Sequence, residues 1–224
     1  MNKQEAVMKR LFLTGAMIFI TLALAACGGG SSAPPAIVTQ MLSDSALDGD
    51  IARDPLSGAF TVTQGNTQSV FAGIDPVTGV EFRAFLDFPL TGVGGVPGNA
   101  AILSATLDLF INSISPQPLI GTIPIRIDLV SFPPSLIGTD FDRTLQPALA
   151  STTIIPPIAQ ADLAGHVAVN VTSLMVEAQR LGLLNFQVRI LLDFGAFSSG
   201  LIEINDTTGA NRQILAPLLE VTFI

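Results

Sequence analysis

The amino-acid sequence predicts an all-β fold in which antiparallel sheets pack on one core, with one short helix near residues 172–181. Three observations carry this prediction. Charged residues make up 12% of the chain, while 20 Gly and 15 Pro supply turns. Apolar and polar residues alternate with period two along several stretches. One stretch, "NVTSLMVEAQRLGLLN", instead spaces its apolar residues as a helix does.

Four stretches each predict a strand with one apolar face turned to a core. The apolar faces are Val80, Phe82, Ala84, Leu86 and Phe88; Leu103, Ala105, Leu107, Leu109 and Ile111; Ile123, Ile125, Ile127 and Leu129; and Phe186, Val188, Ile190, Leu192 and Phe194. The opposite faces carry acidic and basic residues, namely Arg83, Asp87, Asp108, Arg126, Asp128, Arg189 and Asp193. We expect these charges on solvated faces as cross-strand ion pairs; a catalytic cluster is the alternative interpretation.

The remaining regions are a helix and a long irregular stretch. In the helical stretch, Thr172 or Ser173 is the candidate N-cap and Gly182 is the expected C-terminal stop. The proline-rich stretch over residues 131–166 predicts a long crossing loop with one edge strand.

The start of the chain has the order of a secretory signal. Lys9-Arg10 precedes the apolar run "LFLTGAMIFITLALAA", which is short for a membrane span. Residues 1–26 are therefore predicted to be a signal peptide that forms an N-terminal signal helix. A helix that stays in the membrane as an anchor is the alternative.

The end of this run, Leu24-Ala25-Ala26-Cys27, resembles the lipobox of bacterial lipoproteins. The resemblance implies that the Cys27 thiol takes a diacylglycerol, that the signal is cut just before it, and that the new amine is acylated. A free or disulfide-bonded thiol is the alternative, but Cys27 is the only cysteine of the chain. Gly28, rather than Asp, follows it, which in Gram-negative lipoproteins favours the outer membrane. "GGGSSAPPA" then reads as a tether; we assign residues 27–43 to a lipid-anchored flexible linker and 44–224 to a β-sandwich domain.

Three stretches carry a further set of motifs. They are Phe88-Pro89-Leu90 with the turn 97–100 and the strand 102–109; the strand end at Asn170, the helix and Gly182; and the closing strand with Pro217, Leu219, Val221 and Phe223. This pattern over residues 80–224 resembles the secreted β-sandwich family of DNRLRE domains, which groups with some carbohydrate-binding modules. The resemblance implies a jelly-roll β-sandwich that binds glycans or builds surface structures. Asn170 stands where the family usually has Asp, and the Trp residues that the family often carries are missing from this chain.

Residue types that serve as nucleophiles or bases near neutral pH are scarce. His166 is the only histidine, and no lysine follows Lys9. We therefore expect no catalytic activity and no catalytic residues, although a carboxylate-based carbohydrate-active enzyme remains a less favoured interpretation. The formal net charge of −8 disfavours nucleic acid as a partner.

Acidic loops are the one place where a cofactor is expected. Asp48, Asp50 and Asp54, with Gly49 at a turn, offer the hard oxygen ligands that Ca²⁺ takes. Solvated turn acids are the alternative, and no other cofactor is predicted.

These expectations combine into one functional hypothesis. The chain is predicted to be a non-catalytic, lipid-anchored protein of the bacterial cell envelope, at the outer membrane, with a structural or adhesion-type role. A glycan-binding module is the alternative. The expected partners are a membrane, through the lipid anchor, and a glycan or surface polymer, whose binding residues the sequence does not identify.

Overall fold

A computed structural model describes residues 34–193 and 199–224, so the predicted signal peptide, Cys27 and Phe194 lie outside the described residues. The strands are β1 (Ile37–Leu42), β2 (Gly49–Arg53), β3 (Phe60–Gln64), β4 (Ser69–Ile74), β5 (Glu81–Pro89), β6 (Ile102–Ser115), β7 (Thr122–Ile123), β8 (Ile125–Val130), β9 (Ala150–Thr153), β10 (Ile158–Ala159), β11 (Gly165–Asn170), β12 (Asn185–Leu192), β13 (Leu201–Asn205) and β14 (Leu218–Phe223). The helices are α1 (Thr172–Arg180) and the single turn α2 (Arg212–Leu215). The predicted all-β class is confirmed.

Twelve strands of the described residues form one antiparallel sheet that curls into two layers. Layer A has the order β3-β2-β5-β12-β8-β9. In layer B, β6 carries β14 and then β13 along one edge and β11 along the other, and β1 flanks β14. β4 joins the layers, because it pairs with β13 along its length and with β5 at Gly73 and Ile74.

The core lies between the two layers, and the predicted apolar faces line it. The fully buried side chains from β5, β6, β8 and β12 include Ala84, Leu86, Phe88, Leu107, Leu109, Ile111, Ile125, Ile127, Leu129, Phe186, Val188 and Ile190. Leu103 departs from the prediction with 51% exposure, and Val80 and Phe82 are only half-buried. The pairing with β14 shifts register between Thr222 and Phe223, so Leu103 is the extra residue of a β-bulge and turns away from the core.

The outer face of layer A is covered, which corrects the expectation of a solvated face. Residues 131–149, here called the cover segment, cross this face and build a second apolar cluster on it. The cluster is Ile51, Phe85, Val130, Phe132, Leu136 and Phe141. Arg83, Asp87, Asp128 and Arg189 are therefore buried. The physical reason is that the apolar side chains of Phe85 and Val130 interrupt the polar face. Burying them under the cover segment removes apolar surface from water and stabilises the fold.

The outer face of layer B is open, as predicted. The outward residues of β6 from Thr106 to Asn112 are only half-buried, and those of β11 are exposed. The two layers share one core but differ in what covers their other side.

The sandwich begins before residue 44, because part of the predicted linker forms β1. Ile37–Leu42 pairs with β14 along its whole length and turns Met41 into the core. The β-branched sequence "IVT" suits a strand, and it begins two residues after Pro35. The predicted linker therefore cannot extend beyond Ala36.

α1 confirms the predicted helix and its end. Leu174, Met175 and Ala178 face the core. Gly182 has φ +65°, and its amide donates to the Gln179 carbonyl, which closes the helix in the left-handed conformation that glycine favours. In residues 34–193 and 199–224, no helix has the length and apolarity needed to span a membrane.

Candidate functional site

The three predicted calcium ligands do not converge. Asp54 lies in a turn, where its Oδ1 accepts the amides of Leu56 and Ser57, and these hydrogen bonds lower its pKa. Asp50 is buried and accepts the Phe71 amide of β4, and burial raises its pKa to about 6. Asp48 points elsewhere. Over the described residues, no group of three or more His, Cys, Asp or Glu side chains could hold a metal ion.

Asp48 instead belongs to a buried acidic cluster at the end of the sandwich where β1 ends. Its carboxyl group lies against that of Asp206, which follows β13, and both side chains are fully buried. Burial, and then the charge of Asp206, raise the pKa of Asp48 well above its usual value. Burial also raises the pKa of Asp206, to about 6. Two adjacent buried carboxyl groups cannot both ionise cheaply, so the geometry favours a pair that holds one proton.

Two hydrogen-bond donors and one guanidinium lie near the two carboxyl groups and offset their negative charge only in part. The Asp87 amide donates to Asp48 Oδ1 at 2.8 Å, and the Thr67 hydroxyl donates to Asp206 Oδ2 at 3.3 Å. Arg212 Nη1 lies 3.8 Å from Asp206 Oδ1. Asp48 Oδ2 and Asp206 Oδ1 are buried and have no hydrogen-bond partner among the described residues. A proton shared between the two carboxyl groups would satisfy them.

Asp87 is the second correction on the covered face, since we expected it to be exposed and ionised. It is 1% exposed, and its Oδ2 accepts the side-chain amides of Asn185 (3.0 Å) and Gln187 (2.6 Å). Burial raises its pKa, and the two amide hydrogen bonds oppose that effect. Gln187 also bonds both backbone groups of Phe132, so Asp87 helps to fasten the cover segment through Gln187. Asp193, also expected to be exposed, is half-buried.

A buried ion network lies further along the covered face. Arg189 is fully buried and donates to Asp128 Oδ2 and to the Asp140 carbonyl, each at 3.0 Å. Asp128 also accepts from Arg126 at 2.6 Å and from Ser151 at 2.7 Å. Burial by itself would raise the pKa of Asp128, but these hydrogen bonds outweigh it and the pKa is lowered.

The basic groups of this network hold the cover segment in place. Arg83 reaches it as well, with its guanidinium carbon 3.9 Å from the centre of the Phe141 ring and a hydrogen bond to the Phe141 carbonyl. The network therefore fastens the cover segment to layer A.

The open face of layer B presents the exposed chemistry. His166 Nδ1 lies 2.7 Å from Asp108 Oδ2, and the ring of Phe110 meets the imidazole edge-on at 5.0 Å between centroids. These positions follow from register, because β11 pairs His166 with Phe110 and Ala168 with Asp108. The pair is accessible, with side-chain exposures of 43% for His166 and 32% for Asp108.

A second polar group continues along the same strand. Glu203 accepts from the Ser113 hydroxyl at 2.7 Å and from the Asn112 amide at 3.4 Å, and Asn112 accepts from Asn205 at 2.9 Å. The open face thus sets an aromatic ring beside acid, imidazole and amide groups. These can hydrogen-bond a neutral polar ligand while the ring packs against an apolar patch of it.

A groove runs between the edge strands β9 and β11 beside the start of α1. Its volume is about 560 Å³, and hydroxyl and amide groups alternate with apolar ones along it. The lining residues are Thr152, Thr153, Ile155, Val169, Asn170, Thr172 and Ser173. No charged side chain is among them.

Several of these residues had no signal in the sequence. Asp206 reads as a turn acid in "NDTTG", and nothing in the sequence links it with Asp48. The pairing of His166 with Asp108 is a matter of strand register, which one sequence leaves open. Comparison with protein-family models and with curated proteins found no match for this chain.

Proposed function

We propose that this chain is a non-catalytic, lipid-anchored protein of the bacterial cell envelope whose β-sandwich has a structural or adhesion-type role. The observation that carries the proposal is the position of Cys27, after an apolar signal-like run and a few residues before the first strand at Ile37. An acylated cysteine followed by a short tether and a stable domain is the arrangement of a surface-held module.

The tether length supports a close hold on the membrane. An extended chain spans at most about 3.5 Å per residue, so the residues from Cys27 to Ala36 reach roughly 30 Å. This reach lets the domain rotate at the surface while the start of its first strand stays within about 30 Å of the anchor. The acidic cluster lies at the end of β1 that is remote from the tether, since Ser43 and Asp48 follow that strand.

The placement of titratable groups supports a non-catalytic role. The two carboxyl groups that contact each other, Asp48 and Asp206, are fully buried. The acids and arginines of the covered face bond one another or the cover segment. The pair of Asp108 and His166 is accessible, so it is the acid–imidazole pair at which the absence of chemistry is tested. Turnover of a polysaccharide that Asp108→Asn abolishes would contradict the proposal.

The anchor is tested by metabolic labelling of the full chain with a clickable fatty acid in a Gram-negative host. We expect the label on the wild-type protein and its loss in Cys27→Ala, with accumulation of the unprocessed form. Gly30→Ala is the matched control in the tether and should keep the label. Equal labelling of the wild type and Cys27→Ala would contradict lipidation.

Glycan binding is the second candidate, favoured by the open face of layer B. Phe110, His166 and Asp108 combine a ring with hydrogen-bonding groups there, which suits a neutral sugar polymer. A glycan array with Phe110→Ala and His166→Ala tests it. Both should abolish binding, whereas Phe60→Ala on layer A should not; no binding by the wild type would reject this candidate.

A further inference from the structure

β3 is an edge strand without the usual protection of an edge. In the described residues it pairs only with β2, and four of its five residues are exposed. Its sequence "FTVTQ" contains no charge, proline or glycine. Bare, uncharged edges are templates for pairing with another strand, and proteins normally block them with lysine, proline or a covering loop.

The other edge strands of the sandwich are treated differently. The Thr39 hydroxyl of β1 donates to the Gly94 carbonyl, so the loop before β6 lies against that edge. β9 packs against α1. β11 carries an ionisable residue, His166, and borders the groove beside α1. Among the described edge strands, β3 is the one that combines an uncharged sequence with exposed residues beside the second apolar cluster, and the cover segment contacts only its Phe60 and Gln64 side chains.

The second apolar cluster reaches the surface at β3. Val62 pairs with Ile51, which is fully buried in that cluster, and the Phe60 ring lies 5.3 Å from that of Phe141. Yet Phe60 is 44% and Val62 39% exposed, and the neighbouring Ile137 is 53% exposed. The second apolar cluster is thus exposed to solvent at this edge, next to the unpaired backbone of β3.

The strand is complementary to itself. An antiparallel pair of β3 strands with a two-fold axis at Val62 places Val62 opposite Val62 and Thr61 opposite Thr63, because "TVT" reads the same in both directions. Phe60 then faces Gln64. The amide of Gln64 is already held by the Leu47 and Pro134 carbonyls and the Leu136 amide, so Gln64 offers its methylene groups to the ring.

We propose that two copies of this chain pair through β3, antiparallel and centred on Val62, so that layer A continues across a two-fold axis and the second apolar cluster is closed on both sides. The strand itself carries no charge, so no charged side chains oppose each other within the paired strands. The inference does not depend on lipidation, although tethering both copies to one membrane would raise their effective concentration.

The test is the oligomeric state of the full chain in mild detergent, by sedimentation velocity over a hundredfold range of concentration. The wild type should show a concentration-dependent dimer. Val62→Lys places two like charges opposite each other at the axis and should give a monomer at every concentration tested. Val38→Lys, the same change on the exposed edge strand β1, should leave the dimer unchanged.

Charge complementation then tests the register. Val62→Lys and Val62→Glu should each be monomeric alone, and an equimolar mixture should recover the dimer, since the two charges face each other only if Val62 meets Val62. Should Val62→Lys fail to fold, Val62→Cys in a Cys27→Ala background replaces it. That variant should form a disulfide-linked dimer on mild oxidation, because paired antiparallel strands bring Cα atoms to about 4.5–5.5 Å, and Val38→Cys should not.

A wild type that stays monomeric throughout the range overturns the proposal, as does equal loss of the dimer in Val62→Lys and Val38→Lys. A mixture that stays monomeric overturns the register centred on Val62. An edge that serves another protein's strand instead of a second copy would give the first of these results.

Discussion

The outer faces of the two layers differ although both were predicted from the same alternating pattern. On layer A, Arg189 and Asp128 are fully buried under the cover segment. On layer B, Asp108 and His166 are both partly accessible to water. The two faces therefore place an aspartate and its basic neighbour in different dielectric surroundings. A polar pair stabilises little at the surface, whereas removing one partner of a buried pair is costly. In this protein, the contribution of a charged residue to stability therefore depends on whether a further segment buries it, and not on its position in the strand.

Removing the main ring of the cover should have the largest effect. Phe132 is 5% exposed and meets the buried Phe85 ring edge-on at 5.4 Å. We expect Phe132→Ala to lower the free energy of unfolding by about 3–4 kcal/mol, through lost burial and a cavity. Urea unfolding measures this, with Phe110→Ala on the open face as the control. Equal losses in the two variants would mean that the cover does not distinguish the faces.

Breaking the buried ion network should cost slightly less. Arg189→Met retains much of the side-chain volume but removes the hydrogen bonds to Asp128 and to the Asp140 carbonyl. We expect a loss of about 3 kcal/mol, at the low end for a broken buried pair, because Arg126 and Ser151 still bond Asp128. The measurement is again urea unfolding.

The control for Arg189→Met is Arg180→Met, which removes an exposed ion pair with Glu177 within α1. It should unfold at the same urea concentration as the wild type. A buried network that contributed nothing would make the two arginine variants equal.

The acidic cluster predicts a pH dependence. The pKa of Asp206 is raised to about 6 and that of Asp48 is raised well above its unfolded value, so the folded state holds more protons than the unfolded state above about pH 4. This stabilisation is present below the unfolded pKa and is lost as the pH rises through about 6. We expect the fall in unfolding free energy between pH 4 and pH 7 to be smaller in Asp48→Asn than in the wild type. The difference should be at least about 1.4 kcal/mol, the equivalent of one pKa unit.

Asp75→Asn is the control for that slope. Asp75 lies at the surface, and backbone hydrogen bonds from Val77 and Thr78 lower its pKa, so its titration ends below this pH range. The slope of the control should match the wild type. An unchanged slope in Asp48→Asn would show that the pair does not hold a proton.

The covered face also shows how far the sequence could predict the molecule. The inner faces were predictable because period-two alternation is a local property, and Leu107, Leu109 and Ile190 are fully buried as expected. Cover was not predictable, since it depends on where a distant segment docks. Phe85 and Val130 were its one sequence signal, as apolar residues on a face otherwise read as polar.

The candidate site was less predictable than the fold. Asp48 was singled out, but as a calcium ligand with Asp50 and Asp54, because nearby acids in sequence suggest one site. In the structure, strand direction separates these three and brings Asp206 to Asp48 from the other end of the chain. Contacts between distant loops depend on topology and register, which one sequence does not specify. Lipidation of Cys27 stays a prediction.

The smallest effect on stability is expected on the open face of layer B. It tests whether an exposed pair contributes less than the buried pairs of layer A. Asp108 and His166 are 2.7 Å apart, as close as the buried pairs of layer A, but 32% and 43% of their side chains are exposed. Water competes for the hydrogen bond of such an exposed pair, so a double-mutant cycle of Asp108→Asn and His166→Ala should give a coupling below about 1 kcal/mol. Raising the ionic strength to 1 M should barely change the loss in Arg189→Met, because salt does not reach a buried network. A coupling on the open face as large as that of Arg189 with Asp128 would mean that distance, not cover, determines what a polar pair contributes in this protein.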